Sequence, residues 1–152
     1  MTTFSRRRFL LAAGAVAPGV LLLSVSARGQ NMEIAADLAF KRSQDGALLV
    51  IDVRSPQEWG QSGVPQGARL VTIHGPDGLA GFVEALRREL GEDTDRPVAL
   101  ICARGQRSTV AQAALIEAGF TQVLNIREGV FGSRSGPGWL TRDLPMESCR
   151  SC

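Results

Sequence analysis

Apolar and polar positions along this 152-residue chain fall into runs of different period, which separate helix-sized from strand-sized segments. Between Met32 and Ser43, Ile34, Leu38, Ala35 and Ala39 share one face at helical spacing, which predicts a helix. ALLVIDV, Ala47 to Val53, follows Gly46 as a nearly unbroken apolar run and reads as a strand buried on both sides. RSPQEWGQSGVPQGA is turn-rich, and RLVTI, Arg69 to Ile73, reads as the next strand. Leu79, Phe82, Val83, Leu86 and Leu90 return to helical spacing and stop at Gly91. PVALIC, Pro97 to Cys102, and QVLNI, Gln122 to Ile126, are further short strands. Between them lies another helix. Thr109 and Gln112 match the S/T-x-x-E/Q start signal, with Ser108 as a rival cap, and Gly119 followed by Phe120 matches a stop.

Short apolar strands alternating with amphipathic helices predict an α/β fold: a parallel sheet of about five strands with helices on both faces. No internal repeat or low-complexity tract interrupts it. The last residues, MESCRSC from Met146 to Cys152, follow Pro145 and contain little to dock them, so they read as an appended tail.

The first residues change the charge picture. Arg6, Arg7 and Arg8 precede an apolar run from Phe9 to Leu23, and Val25 to Ala27 supply small residues suited to cleavage. SRRRFL resembles the twin-arginine export signal of bacteria. The run is shorter than the roughly 20 residues that cross a bilayer and contains Pro18-Gly19, which argues against a permanent anchor. The expectation is an exported, periplasmic protein cut near Ala27, touching the membrane only through residues 1–27 before cleavage. Removing that segment takes three arginines and no acid, so 17 basic and 15 acidic residues become 14 and 15. Near-neutrality leaves no electrostatic footprint for nucleic acid. What remains suffices for one compact domain, residues 28–145, and a tail, residues 146–152. In an oxidising compartment, Cys102, Cys149 and Cys152 cannot all pair with one another.

Cys102 is the residue with chemistry to offer. It ends a strand of a parallel sheet, where ligand crevices form, and is followed by Ala103, Arg104, Gly105, Gln106 and Arg107 before the predicted helix cap. So short a loop, with Gly105 free to adopt positive φ, curls its N–H groups inward as an anion nest. The positive end of the next helix adds to that field. A thiol of ordinary pKa near 8.5 falls to about 3.5 to 7.5 in such surroundings, so Cys102 is expected to be largely thiolate. Arg104 and Arg107 suit sulfonate, sulfate or phosphate oxygens.

CARGQRS, Cys102 to Ser108, resembles the active-site loop of the rhodanese-like sulfurtransferases. IDVRSPQEW at Ile51 to Trp59, SGVPQGA at Ser62 to Ala68, LIEAGFTQVLNIREGV at Leu115 to Val130 and GPGWLTRDLPM at Gly136 to Met146 follow the family order. The resemblance implies that Cys102 accepts a sulfane sulfur as a persulfide, cradled by the backbone of Ala103 to Arg107, with Arg104 and Arg107 facing an anionic donor. Thiosulfate would lose its outer sulfur and depart as sulfite; cyanide or a thiol, including a periplasmic thiol protein, would take the sulfur away. No cofactor or metal is implied. Phosphatases of the family place five residues between Cys and Arg; here four separate Cys102 from Arg107, a ring better sized for sulfur.

Elsewhere the readings are structural. His74, the single histidine, followed by Gly75-Pro76-Asp77, reads as a solvated loop residue. Asp52, Arg54 and Glu58 read as one polar cluster and Trp59 as packing, while Trp139 either covers the site or packs in the core or rim. Cys149 and Cys152 have C-x-x-C spacing without a second pair of metal ligands, which leaves a local disulfide or a mobile thiol partner for Cys102. The rival to an enzyme is a sulfur-carrier, anion-binding or redox-sensing module using the same nest.

Overall fold

The computed structural model describes residues 32–149 and 152; the expected export signal, residues 1–27, lies outside them. Strands run over Met32–Glu33 (β1), Leu49–Asp52 (β2), Val64–Pro65 (β3), Arg69–Leu70 (β4), Val98–Ile101 (β5), Val123–Asn125 (β6) and Met146–Glu147 (β7). Helices occupy Ala36–Gln44 (α1), Pro56–Ser62 (α2), Gly78–Glu89 (α3), Gln106–Glu117 (α4) and Gly138–Thr141 (α5). Five strands pair in parallel in the order β1-β6-β5-β2-β4, so the predicted α/β sheet is present.

β2 and β5 occupy the middle of the sheet and are buried on both sides, which is why their sequences read as continuous apolar runs. Successive side chains point to opposite faces. Ile51, Leu100 and Cys102 meet Phe82 and Leu86 of α3 and Ala111 and Leu115 of α4. Val50, Ala99 and Ile101 meet Ala36 and Ala39 of α1 and Trp139 of α5. Each fully buried Leu, Ile or Phe contributes about 2 kcal/mol, so the two layers fix the sheet between helices. That places the carboxyl end of β5 against the start of α4.

The helix expected from Met32 to Ser43 begins only at Ala36, and the residues before it supply the fifth strand. Met32 and Glu33 pair with Leu124 and Asn125, and the amide of Gln112 donates to the Met32 and Val123 carbonyls at 2.9 Å each. This non-local partner outweighs local helix propensity. The predicted face is corrected too: Leu38 is 49% exposed, while Ala36 and Ala39 are buried because their small side chains let α1 approach the sheet.

Within the stretch that the sequence predicts to be turns, the structure has a helix, α2. Ser55 accepts the Glu58 N–H, the Glu58 carboxylate accepts the Ser55 N–H, and Pro56 occupies the first turn. After α2, β3 pairs antiparallel with β7, so the tail is docked at its first residues rather than free from Met146 onward.

Asp52 and Arg54 form a fully buried pair, Nη2 to Oδ2 at 2.7 Å. Arg54 also donates to Ser62 Oγ at 2.7 Å and to the Gly63 carbonyl at 2.8 Å, tying the end of β2 to the end of α2. The Glu58 carboxylate pairs with Arg107 instead of joining this cluster.

Candidate active site

The strand end at Cys102 is shaped by what receives its carbonyls. Val130 N–H donates to the Cys102 carbonyl at 2.9 Å and Phe131 N–H to that of Ala103 at 3.0 Å. With those carbonyls engaged by the neighbouring loop, the amides that follow are free to turn inward. Gly105 N–H donates to Cys102 Sγ at 3.1 Å, and Ser108 Oγ lies 3.5 Å from the same sulfur. The cysteine itself is only 1% exposed.

Gly105 makes this turn possible. Its φ is +86°, and a Cβ at that position would overlap the Arg127 carbonyl oxygen, so only glycine lets the loop lie this close to its neighbour.

The start of α4 differs from the predicted cap. The helix begins at Gln106, with Gly105 as cap, so Gln106 and Arg107 belong to its first turn and the loop proper is Cys102 to Gly105. Ser108 and Thr109 hydroxyls donate back to the Gly105 carbonyl at 3.1 and 2.7 Å, bracing the turn, and Gln112 reaches across to β1 and β6. The pattern T-x-x-Q is present but is used for those contacts. The first helical bond from this loop is Thr109 N–H to the Gly105 carbonyl, so the amides of Gln106 to Ser108 take no part in the helix ladder, and Gly105 N–H is the loop amide that donates to the sulfur among the described residues.

The two arginines part company. Arg107 is forked onto Glu58, both Nη atoms at 2.6 Å from its carboxylate oxygens, and its Nη1 is also 2.9 Å from His74 Nε2. Arg107 therefore stands at the site already paired with a carboxylate. The hydrogen bonds from Arg107 hold the Glu58 carboxyl down at about 2, against an ordinary 4.5. In return Glu58 raises the Arg107 guanidinium above its usual value, with a smaller contribution from the Cys102 sulfur. Arg104 is exposed and donates to the Gly132 carbonyl at 3.3 Å.

His74 is exposed, as expected of a loop residue, but stands at the rim through its contact with Arg107. Trp139 is fully buried, edge-on to Phe40 at 5.7 Å, with its indole N–H on the Pro145 carbonyl, so it belongs to the core and does not cover the site. Cys149 is bonded to Cys152, leaving Cys102 as the free cysteine among the described residues. Glu58 as a clamp and Ser108 beside the sulfur were missed; the Ser55-x-x-Glu58 capping signal was the available sign of the first.

The profile of the rhodanese-like domain matches residues 35–134, most of the described chain. The chain belongs to the rhodanese-like domain family. It is 29% identical over 99 residues to a sulfurtransferase of Allochromatium vinosum, covering 65% of this chain and 78% of that protein. An uncharacterized protein of Rickettsia prowazekii is 26% identical over 124 residues, 80% of this chain and 94% of its own. A tRNA uridine(34) hydroxylase of Chlamydia muridarum is 30% identical over 117 residues, 76% of this chain, but the match spans 35% of that longer protein. Among solved structures, the polysulfide-sulfur transferase homodimer of Wolinella succinogenes superposes with a TM-score of 0.60 at 24% identity, covering 80% of this chain and 81% of that one, a likeness of fold.

Proposed function

We propose that this rhodanese-like protein is a sulfurtransferase that takes a sulfane sulfur from thiosulfate or a related donor onto Cys102 and passes it to cyanide or a thiol. The observation that carries the reading is the Gly105 N–H directed at Cys102 Sγ from 3.1 Å beneath the start of α4. Such a site favours a sulfur anion, both as the attacking thiolate and as the persulfide. In the first step the Cys102 thiolate attacks the outer sulfur of thiosulfate, the S–S bond of the donor breaks, and sulfite leaves with the electron pair. The acceptor then attacks the outer sulfur of the persulfide and restores the thiolate, a two-step covalent cycle with ping-pong kinetics. Burial of Cys102 supports sulfur as the transferred atom, because a slender sulfur arm enters where a bulky phosphoryl centre does not. Ala103, Arg104, Gly105 and Gln106 would line the donor's approach, while Arg107, held by Glu58, would act as a fixed positive charge.

The decisive experiment treats the purified chain with thiosulfate and measures intact mass. One added sulfur atom, mapped to Cys102 and discharged repeatedly by cyanide, is expected. No adduct overturns the reading, and a discharge that stops after one equivalent makes the protein a carrier. Consistent with the SRRRFL segment, the protein would work in the periplasm after loss of residues 1–27. Cell fractionation with sequencing of the mature N-terminus tests that part.

A further inference from the structure

His74, the chain's single histidine, is brought to the rim by the backbone on which it stands. Beyond β4 the chain keeps to the edge of β2: Val71 N–H donates to the Asp52 carbonyl and Ile73 N–H to that of Val53, each at 3.2 Å, and Ile73 packs on the core. Thr72 Oγ1 accepts the His74 N–H at 3.0 Å, which fixes the chain where it leaves the sheet. The exposed imidazole therefore meets Arg107 from an anchored position.

Arginine has donors only, so the 2.9 Å contact between Arg107 Nη1 and His74 Nε2 makes that ring nitrogen the acceptor. The ring is then neutral and carries its proton on Nδ1. Arg107 Nη1 also donates to Glu58 Oε2 and its Nη2 to Oε1, both at 2.6 Å, so one guanidinium is shared between a carboxylate and an uncharged base. The charged groups meeting here are Glu58 from α2 and Arg107 from α4. Cys102 and Asp52 act on the same guanidinium more weakly, which links the cluster to the reacting sulfur. Asp77, the cap of α3, is the acid of His74's own loop.

We infer that His74 is a positioning residue for Arg107 whose protonation tunes the affinity of the Cys102 loop for an anionic sulfur donor. An imidazolium has no lone pair left on Nε2 and cannot accept from Arg107. It becomes a second cation beside Glu58 and competes for the carboxylate that grips the guanidinium. The three side chains pass from electrical neutrality to a net positive charge, and Arg107 gains free N–H groups for the oxygens of an incoming donor. Imidazole is the side chain whose charge ordinarily changes between about pH 5 and 8, so the response falls in that range. This inference rests on the sulfurtransferase reading and adds a residue that sets donor affinity.

Two measurements on the full chain test it. Nitrogen NMR of the imidazole, free of overlap with one histidine in the chain, is expected to show the Nδ1–H tautomer at about pH 8. The Nε2–H tautomer overturns the inference. The second measurement follows formation of the Cys102 persulfide by mass at a series of thiosulfate concentrations, from about pH 8 down to about 5.5. Glutamine keeps an acceptor at position 74 without titrating, so the half-saturating concentration of the unaltered protein divided by that of His74→Gln removes any titration the two proteins share. That ratio is expected to fall about fivefold on acidification, the size of one added exposed charge contact. His74→Lys, with a permanent cation, should half-saturate below His74→Gln at both ends of the range. A ratio constant with pH overturns the inference and leaves the sulfurtransferase reading standing. If no persulfide forms at any pH, that reading falls and this inference with it.

Discussion

Arg107 reaches across from the first turn of α4 to grip Glu58 of α2, with two Nη–Oε contacts of 2.6 Å. The ion pair thereby fastens α2 to the start of α4, while the buried Asp52–Arg54 pair holds the other end of α2 through Ser62.

That ion pair carries a pH signature. The Glu58 carboxyl is held at about 2 in the fold, against 4.5 ordinarily. A depressed carboxylate contributes stability that is complete above its unfolded value and disappears as pH falls through the folded one. The native protein is therefore expected to be more stable than Glu58→Gln at pH 7, with the gap closing between 4.5 and about 2. Thermal unfolding of both proteins across that range checks it; a gap constant with pH would refute it.

Gly105→Ala should disable the loop. The substitution forces a side chain into positive φ and against the Arg127 carbonyl, at a cost of about 2 kcal/mol or more. Urea unfolding should show the lost stability, and the rate of persulfide formation should fall at least about tenfold as the Gly105 N–H leaves Sγ.

Removing one half of the Asp52–Arg54 pair leaves a charge buried without its partner. Asp52→Ala is expected to cost about 3 to 5 kcal/mol, and Asp52→Ala combined with Arg54→Met distinctly less than the sum of the single changes. Denaturant titrations of the three variants measure the coupling; strict additivity would contradict the structure.

The tail divides into a structural and a dispensable part. Truncation after Pro145 removes β7 from β3 and Met146 from the core edge, and should destabilise the domain by about 1 kcal/mol or more. Replacing both Cys149 and Cys152 with serine opens only a loop of three-residue separation and should leave the melting temperature nearly unchanged. If the double serine variant loses sulfur transfer, the tail cysteines are thiol partners of Cys102 after all.

The layers of the fold were legible because β2 and β5 are unbroken apolar runs, α3 repeats its apolar residues at helical spacing, and α4 lies between a start and a stop signal. Cys102 and Gly105 were legible for a similar reason: a cysteine at a strand end before a short glycine-containing loop is a local pattern. Contacts between distant segments were not. Met32 and Glu33 become a strand only because Leu124 and Asn125 are there to pair with, and β3 is visible only once β7 lies beside it. The T-x-x-Q pattern misled about the start of α4, since the helix begins where Gly105 clears the Arg127 carbonyl, a restriction imposed from elsewhere in the chain. Arg107 was legible as a site residue, but its partner 49 positions away was not.

The close seating of Gly105 on Arg127 has a practical corollary for anyone wishing to transplant this chemistry. The heptapeptide CARGQRS is only half of a matched unit, and moved alone into another scaffold it would lose the backing surface that sets its curvature. A working graft has to bring Arg127 through Phe131 with it.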